Sequence, residues 1–325
     1  MKPSVAIVGA GIAGLTLARR LGNDAAVTVF EKSRGLGGRM ATRYADPFRF
    51  DHGAQFFTIR DPHFRAFLQP LMRSGIIAIW PARFVEFHGP AITARRAWDH
   101  DYPHYVGVPG MNAIGQALGD GLSIVRETRV ERLQASDGGW VLHGPERDLG
   151  RYDWVLLTAP QPQALALLPA PLANDLPAAP LLGCYSLMLG FTEALPFDWD
   201  AALIKDADIS WASINSSKPG RAANPTMLVH ATNRWADANL DADQDWVREH
   251  LLAETKRVTG LAIRPAHVGL HRWRYANIAK QSGPAYHLVS EARVGVCGDW
   301  FVRGRIEAAF QSATGLADAL HAAWQ

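Results

Sequence analysis

Cysteine, lysine and surplus charge are all scarce in this chain, and each shortage removes a class of protein. Only two cysteines occur in 325 residues, Cys184 and Cys297, far apart and each inside an apolar run. They have neither the density of a disulfide framework nor the spacing of metal ligands, and read as reduced core residues, so no metal is expected. Basic and acidic residues nearly balance, 33 against 31, which leaves no polybasic face and argues against nucleic acid as a partner. No apolar run approaches the roughly 18 residues of a membrane span, and the chain opens on a strand pattern rather than on a basic stretch with an apolar signal core. A soluble, cytoplasmic protein with no membrane segment and no protein partner is expected. The 48% hydrophobic content and the length suffice for two domains.

Glycine, by contrast, is placed with purpose. Val5-Ala6-Ile7-Val8 runs into Gly9-Ala10-Gly11-Ile12-Ala13-Gly14 and then an apolar-periodic segment to Leu21. That order is a buried strand, a tight turn and a helix, which leaves bare N–H groups of Ile12 and Ala13 at a positive helix end, where a pyrophosphate can sit. A second strand, Val27-Thr28-Val29-Phe30, ends in Glu31, about twenty positions after Gly11, where a carboxylate meets a ribose hydroxyl. These residues predict a dinucleotide site.

A second flexible cluster follows, Lys32-Ser33-Arg34-Gly35-Leu36-Gly37-Gly38-Arg39, suited to another pass along a phosphate-rich ligand. Phe50 to Thr58 reads as a strand broken at Gly53, and a glycine there marks close approach by a ligand, here a flat ring. His52, Ala54 and Gln55 flank it. Two β-rich stretches about His88-Gly89-Pro90 predict a hairpin, and Asn112 to Leu118 a short helix. Strands are expected over Ser123 to Leu133, Gly139 to His143 and from Trp154. The Pro-, Ala- and Leu-rich stretch from Pro160 to Pro180 reads as a crossing between domains. Near the C-terminus a buried strand ends in Cys297-Gly298-Asp299, and Gly304-Arg305-Ile306-Glu307-Ala308-Ala309 opens a long helix. A carboxylate beside a helix N-terminus suits a ribityl chain and a ring that gains electron density.

Taken together these segments resemble the FAD-dependent amine-oxidase-like flavoproteins, through Gly9, Gly11, Gly14, Glu31, the Arg34 to Arg39 box, the Val130 strand, Gly298-Asp299 and Gly304 to Ala309. Within them the chain looks most like the renalases, bacterial type, in Lys32 to Gly35, Asp51 to Thr58, Ser217-Lys218-Pro219, Leu228 to Thr232, His271 to Ala276 and Cys297 to Trp300. The resemblance implies an α/β protein (α+β overall): a Rossmann-like FAD-binding domain of the amine oxidase/p-hydroxybenzoate hydroxylase type with an inserted substrate domain of mixed β-sheet and helices. The FAD-binding domain is expected over 1–60, 106–165 and 291–325, and the substrate domain over 61–105 and 166–290.

The cofactor contacts expected are Gly9, Gly11, Ile12, Ala13, Gly14, Glu31, Lys32, Gly38, Arg39, His52, Gly53, Ala54, Val130, Gly298, Asp299, Arg305, Ile306, Glu307 and Ala308. No cysteine precedes Val294 where covalently flavinylated relatives carry one, so the FAD is expected to be non-covalent. Ala308, where the family usually has glycine, and the Ser312-Ala313 pair, with alanine in place of glycine, depart from its pattern and imply a slightly different seat for the ring. Renalase-like enzymes oxidise the 2- and 6-dihydro isomers of NAD(P)H to NAD(P)+ and pass the electrons to O2, giving hydrogen peroxide; that activity is implied by resemblance alone.

Hydride transfer from a dihydropyridine needs orientation more than an acid or base, because the donor aromatises as the hydride leaves. Trp273 and Tyr275 point to one face of a strand, Arg272 and Arg274 to the other, so an aromatic wall or a phosphate-binding pair faces the flavin. The catalytic candidates are Trp273, His230 and Gln55, with Tyr185, Trp211 and Asn215 as weaker pocket positions. Three other readings stand beside this one: an oxidase or desaturase of another small substrate, such as an amine or a polyene, a flavin-binding protein without turnover, and a simple NAD dehydrogenase. Amine oxidases place a lysine near the flavin, and of the six lysines here only Lys280 is near Trp273 in sequence, which argues against amines.

Overall fold

The computed structural model describes residues 2–325, arranged around two sheets. The six-stranded sheet runs Tyr286–Val289, Val294–Cys297, Trp154–Leu157, Ser4–Val8, Ala26–Phe30, Ile124–Val125. Every pairing in it is parallel except the edge strand Tyr286–Val289. The central strands are continuous apolar runs because both of their faces are covered, one by long helices and the other by the three-stranded antiparallel sheet Arg132–Ser136, Gly139–His143, Asp148–Tyr152 and short helices. The helices Ile12–Leu21 and Ile306–Ala323 pack on this sheet and on each other through Leu15, Leu17, Ala313, Leu316 and Leu320. Tyr286–Val289 falls within the 166–290 stretch that the sequence assigns to the substrate part, and its pairing with Val294–Cys297 gives it instead to this sheet.

The seven-stranded sheet runs His267–Asn277, Leu182–Gly190, Thr226–Ala231, Ile209–Ile214, Ala201–Lys205, Arg83–His88, Ala91–Ala97. The last two form the hairpin expected about Gly89. Side chains alternate along these strands except where the register shifts, at Leu182/Cys184, Ile209/Trp211 and Glu86/Phe87. Tyr185, Leu187, Val229, Ala212, Ala202 and Val85 point to one face and pack under the helix Gln244–Thr259 through Val247, Leu251 and Val258. The other face turns toward the glycine-rich half of the molecule. The two cysteine thiols are free and buried, and burial pushes the pKa of Cys184 up to about 12.

Three expectations need correction. The stretch Ser123 to Leu133 is not one strand: Ile124–Val125 ends the parallel sheet, Arg132–Ser136 starts a separate antiparallel sheet, and Val130 lies between them. The break occurs because Thr128 N–H donates back to the Glu31 carbonyl and Glu127 adopts a positive φ of 52°. Likewise the strand at Phe48–Asp51 stops before Gly53, because the Gln55 side chain takes the Asp51 and Gly53 carbonyls (2.5 and 2.9 Å). The Pro160 to Pro180 stretch does lead from one sheet to the other. It is not bare linker, since it forms the helices Gln161–Leu165 and Ala170–Asn174 and buries Ala164, Leu168 and Leu176 in the core behind Trp154–Leu157.

Candidate active site

The two glycine clusters, separate in sequence, meet in space. Gly11 bridges to Gly37, whose N–H donates to the Ala10 carbonyl at 2.9 Å. A Cβ on Gly14 would stand 1.9 Å from the Gly9 carbonyl oxygen, so no other residue fits there, whereas Gly11 faces open space. Glu31 is buried, and its carboxylate accepts the Ala10 N–H and the Ser33 N–H, both at 2.8 Å. It therefore holds the two turns together as well as presenting an acceptor beside them. Glu31→Ala should accordingly weaken dinucleotide retention and lower Tm together, the latter by the cost of two unsatisfied N–H groups, roughly 1–3 kcal/mol each where buried. A calorimetric scan alongside a cofactor-retention assay checks this.

The helices Ile12–Leu21 and Ile306–Ala323 both begin without a side-chain cap, so their first N–H groups, including those of Ile12, Ala13, Ile306, Glu307 and Ala308, are left for a ligand or water. The Glu307 side chain turns away, accepting the N–H groups of Arg60 and Asp61 (2.6 and 3.0 Å). Arg39 pairs with buried Asp299 and donates to the Ala276 carbonyl, joining the second glycine cluster to both sheets. Ser312 Oγ accepts the Gly298 N–H at 2.9 Å, which gives that side chain a structural role at the strand end. Lys32 is exposed and donates to Gln163 at 3.0 Å; Arg305 is exposed as well. Two glycine turns, two uncapped helix starts and a bridging Arg39–Asp299 pair fit an extended flavin dinucleotide.

Across the cleft, the register of the large sheet sets one row of side chains. His271, Ser186, His230, Trp211 and Leu203 are successive partners on five adjacent strands and share a face. Trp273 stands one step along. Its Nε1–H donates to the His52 carbonyl at 2.8 Å and its ring stacks on the His52 imidazole, centroids 5.3 Å apart. Trp273 Cζ2 lies 3.4 Å from where a Cβ on Gly53 would be, and the Arg39 carbonyl oxygen 2.0 Å from it. Arg272 and Arg274 are on the opposite face, tied to the Leu240 carbonyl and Asp241. The wall facing the glycine clusters is therefore aromatic. Tyr185 is also on that opposite face, buried, donating to the Asn239 carbonyl at 2.9 Å, and is not a pocket residue.

The imidazoles here are neutral. Burial holds the pKa of His52 at about 3, with the nearby His271 and Arg43 adding to it. Burial and the Lys218 charge put His230 at about 4, and burial and Arg43 do the same for His271. Each folded pKa is below the unfolded value near 6.5, so the unfolded chain binds more protons between the two. Stability is full above about pH 6.5 and is lost as pH falls toward 4, an acid limb that denaturant titrations across that window will detect.

Beneath this wall is a buried ionic cluster. Arg221 donates to Asp51 Oδ2 at 2.5 and 3.2 Å, and Lys218 Nζ lies 3.3 Å from the same oxygen. Asp51 Oδ1 accepts from Thr42 Oγ1 (2.8 Å) and the Met111 N–H (3.0 Å). Lys218 also reaches Gln55 Oε1 (3.2 Å) and Asn215 Oδ1 (3.1 Å). Ser213 Oγ donates to Gln55 Oε1 too, at 3.0 Å. Gln55 thus spends both amide hydrogens and both carbonyl lone pairs inside the protein, which makes it a positioning residue rather than a group free to bond a flavin. Burial lowers the pKa of Lys218 to about 8 against the pull of Asp51. The sequence reading missed Lys218 as the lysine under the wall and looked to exposed Lys280, because nearness to Trp273 in sequence is not nearness across a sheet. Its signal was the Ser217-Lys218-Pro219 segment, whose cation has no acidic neighbour in the chain. Among the described residues no group of three or more His, Cys, Asp or Glu side chains could hold a metal, and no helix is long and apolar enough to cross a membrane.

Comparison with known proteins agrees with this arrangement. Residues 7–71 match the model of an NAD(P)-binding Rossmann-like domain, and residues 72–321 that of the flavin containing amine oxidoreductases. Similar curated proteins include a coproporphyrinogen III oxidase of Mycobacterium tuberculosis, 42% identical over 72 residues, and a 4,4'-diapophytoene desaturase of Staphylococcus haemolyticus, 43% identical over 58. These matches take in 21% and 18% of this chain, and only 16% and 12% of the relatives' own length. Among solved structures, a provisionally assigned protoporphyrinogen oxidase from Exiguobacterium sp. 255-15 superposes with a TM-score of 0.79 at 14% identity, covering 98% of this chain and 99% of that one. Cyclohexylamine oxidase from Brevibacterium oxydans gives 0.72 at 14% identity, covering 99% and 100%. At that identity the likeness is one of fold. The second family model spans well over half of the chain, and the protein belongs to the flavin containing amine oxidoreductases.

Proposed function

We propose that this oxidoreductase is a renalase-like oxidase that takes the 2- and 6-dihydro isomers of NAD(P)H to NAD(P)+, with FAD held non-covalently and O2 as final acceptor. Bound FAD would supply a hydride-accepting ring whose electrons, with a proton from solvent, would go on to oxygen as hydrogen peroxide. The observation that carries the reading is the aromatic, uncharged wall of Trp273, His271, His230 and Trp211 on one sheet face, opposite the glycine clusters. Such a wall suits a flat dihydropyridine, which has to be stacked and oriented but needs no proton taken from it. In this reading Trp273 orients the ring, His52 and Gly53 shape its seat, Gln55 and Asn215 hold Lys218 in place, and Glu31, Arg39 and Asp299 serve the cofactor. The domain division proposed is 1–60, 106–165 and the C-terminal segment for FAD, with the rest for substrate, the last boundary moved to 285.

Lys218 favours a second reading, an amine oxidase. Against it, the buried cluster carries two cations and one carboxylate, Lys218, Arg221 and Asp51, and a net positive floor repels an ammonium substrate. The test is to release and identify the chromophore after denaturation, then to mix the holoprotein without air with each dihydro isomer and with a panel of primary amines. Intact free FAD, bleaching by an isomer, and NAD(P)+ plus peroxide on admitting air are expected. Covalently retained flavin overturns the cofactor proposal, and bleaching by an amine alone overturns the substrate.

A further inference from the structure

His230 and Trp211 are direct register partners on neighbouring strands, which sets their side chains roughly 5 Å apart at Cβ on the same face. Both carry a buried ring nitrogen without a hydrogen-bond partner, Nε2 of His230 and Nε1 of Trp211. Native structures rarely leave such atoms unpaired unless a ligand or water completes them. An indole Nε1–H can only donate, whereas a neutral imidazole has one accepting and one donating nitrogen. Burial and the Lys218 charge keep His230 neutral well below physiological pH. Around Trp211 the rings of Phe56, Phe84 and Trp98 stand at 5.5, 6.4 and 6.2 Å, so its indole is set in an apolar cluster that offers Nε1–H no acceptor.

Resting on the dihydronicotinamide reading above, we propose that Trp211 and His230 form a clamp for the substrate's carboxamide, with Trp211 Nε1–H donating to its carbonyl oxygen and His230 Nε2 accepting from its NH2. A primary carboxamide is planar and offers one acceptor and one donor side by side, which is the complement of this pair. The chain's catalytic wall gains a specificity element from it. The two reactive carbons of the isomers flank the ring nitrogen, one beside the carboxamide-bearing carbon and one remote from it. Fixing the carboxamide on one side therefore places them unequally, and the clamp sets the ratio at which the two isomers react.

The experiment uses holoprotein without air, wild type against Trp211→Phe and His230→Gln, with three reductants: the 2-dihydro isomer, the 6-dihydro isomer, and an N-ribosyl dihydropyridine lacking the carboxamide. In Trp211→Phe the flavin spectrum should stay native, the apparent Kd for the two isomers should rise about tenfold, as loss of one buried hydrogen bond allows, and their rate ratio should change. The carboxamide-free reductant, which keeps the stacking contact and has no carboxamide to lose, should weaken clearly less than either isomer. His230→Gln should shift the same ratio and guards against a folding defect in the first variant. Wild-type Kd and rate ratio in both variants, or an equal loss with the carboxamide-free compound, overturns the clamp while leaving the oxidase reading intact. Failure of the wild type to be reduced by any isomer overturns both.

Discussion

Trp273→Ala is expected to slow anaerobic reduction of the bound flavin on the order of 100-fold, the scale of a lost positioning contact, with a nearly native visible spectrum. The indole is fixed at both ends: Nε1–H donates to the His52 carbonyl at 2.8 Å, and the ring stacks against the His52 imidazole and packs edge-on to His271, centroids 4.4 Å apart. A side chain held this way can orient a flat substrate without adjusting to it. Trp273→Phe keeps an aromatic face but drops the hydrogen bond, so it should recover most of the rate if stacking matters more than the His52 contact. Single-turnover kinetics of the three proteins decide this, and wild-type rates in Trp273→Ala would reduce the residue to packing.

Asp51→Asn is expected to be strongly destabilising, costing about 3–5 kcal/mol, because it leaves Lys218 and Arg221 buried with no counter-charge. The side chains of all three are at most 2% exposed, so solvent screens the cluster very little. Burial alone would raise the Asp51 pKa, but Lys218, Arg221 and the Met111 N–H bring it below the ordinary carboxylate value. Its contribution is therefore present above the unfolded carboxylate pKa and lost as pH falls through the lower folded value. Lys218 acts in a different window. Its folded pKa of about 8 is below the usual 10.5, so the unfolded state holds more protons between those values and stability from this group rises with pH across them. Urea titrations of wild type and Asp51→Asn at neutral pH test the first claim; a loss under 1 kcal/mol would mean that the cluster relaxes or hydrates.

The nucleotide half was legible because its chemistry is local. Val5 to Leu21 spell strand, turn and helix in consecutive residues, and the structure gives Ser4–Val8 and Ile12–Leu21; Glu31 follows directly on the strand Ala26–Phe30, as its place in the sequence predicts. The C-terminal strand and helix were readable in the same way. The aromatic wall was not, since it is assembled across strands. His271, Ser186, His230 and Trp211 come from four segments spread over nearly ninety positions, and only sheet register makes them neighbours. Period-two alternation did limit Trp273 and Arg272 to opposite faces, but which face turned inward depended on the helix Gln244–Thr259 covering the other. The Asp51–Lys218–Arg221 cluster was hidden for the same reason, its carboxylate and its cations being separated by 167 and 170 positions.

The most direct measurement is a stopped-flow comparison, without air, of the reduction of the wild-type holoprotein by purified 2-dihydro, 6-dihydro and 4-dihydro NAD(P)H. The ordinary 4-dihydro form is the cell's working reductant, so an oxidase that accepted it freely would drain reducing power. A rigid aromatic wall discriminates by where the hydride sits on the ring, through distance and angle alone. Rapid bleaching by the 2- and 6-dihydro isomers, with slow or no bleaching by the 4-dihydro form, is the predicted result. Equal rates with the 4-dihydro form, or bleaching by no isomer at all, would contradict it.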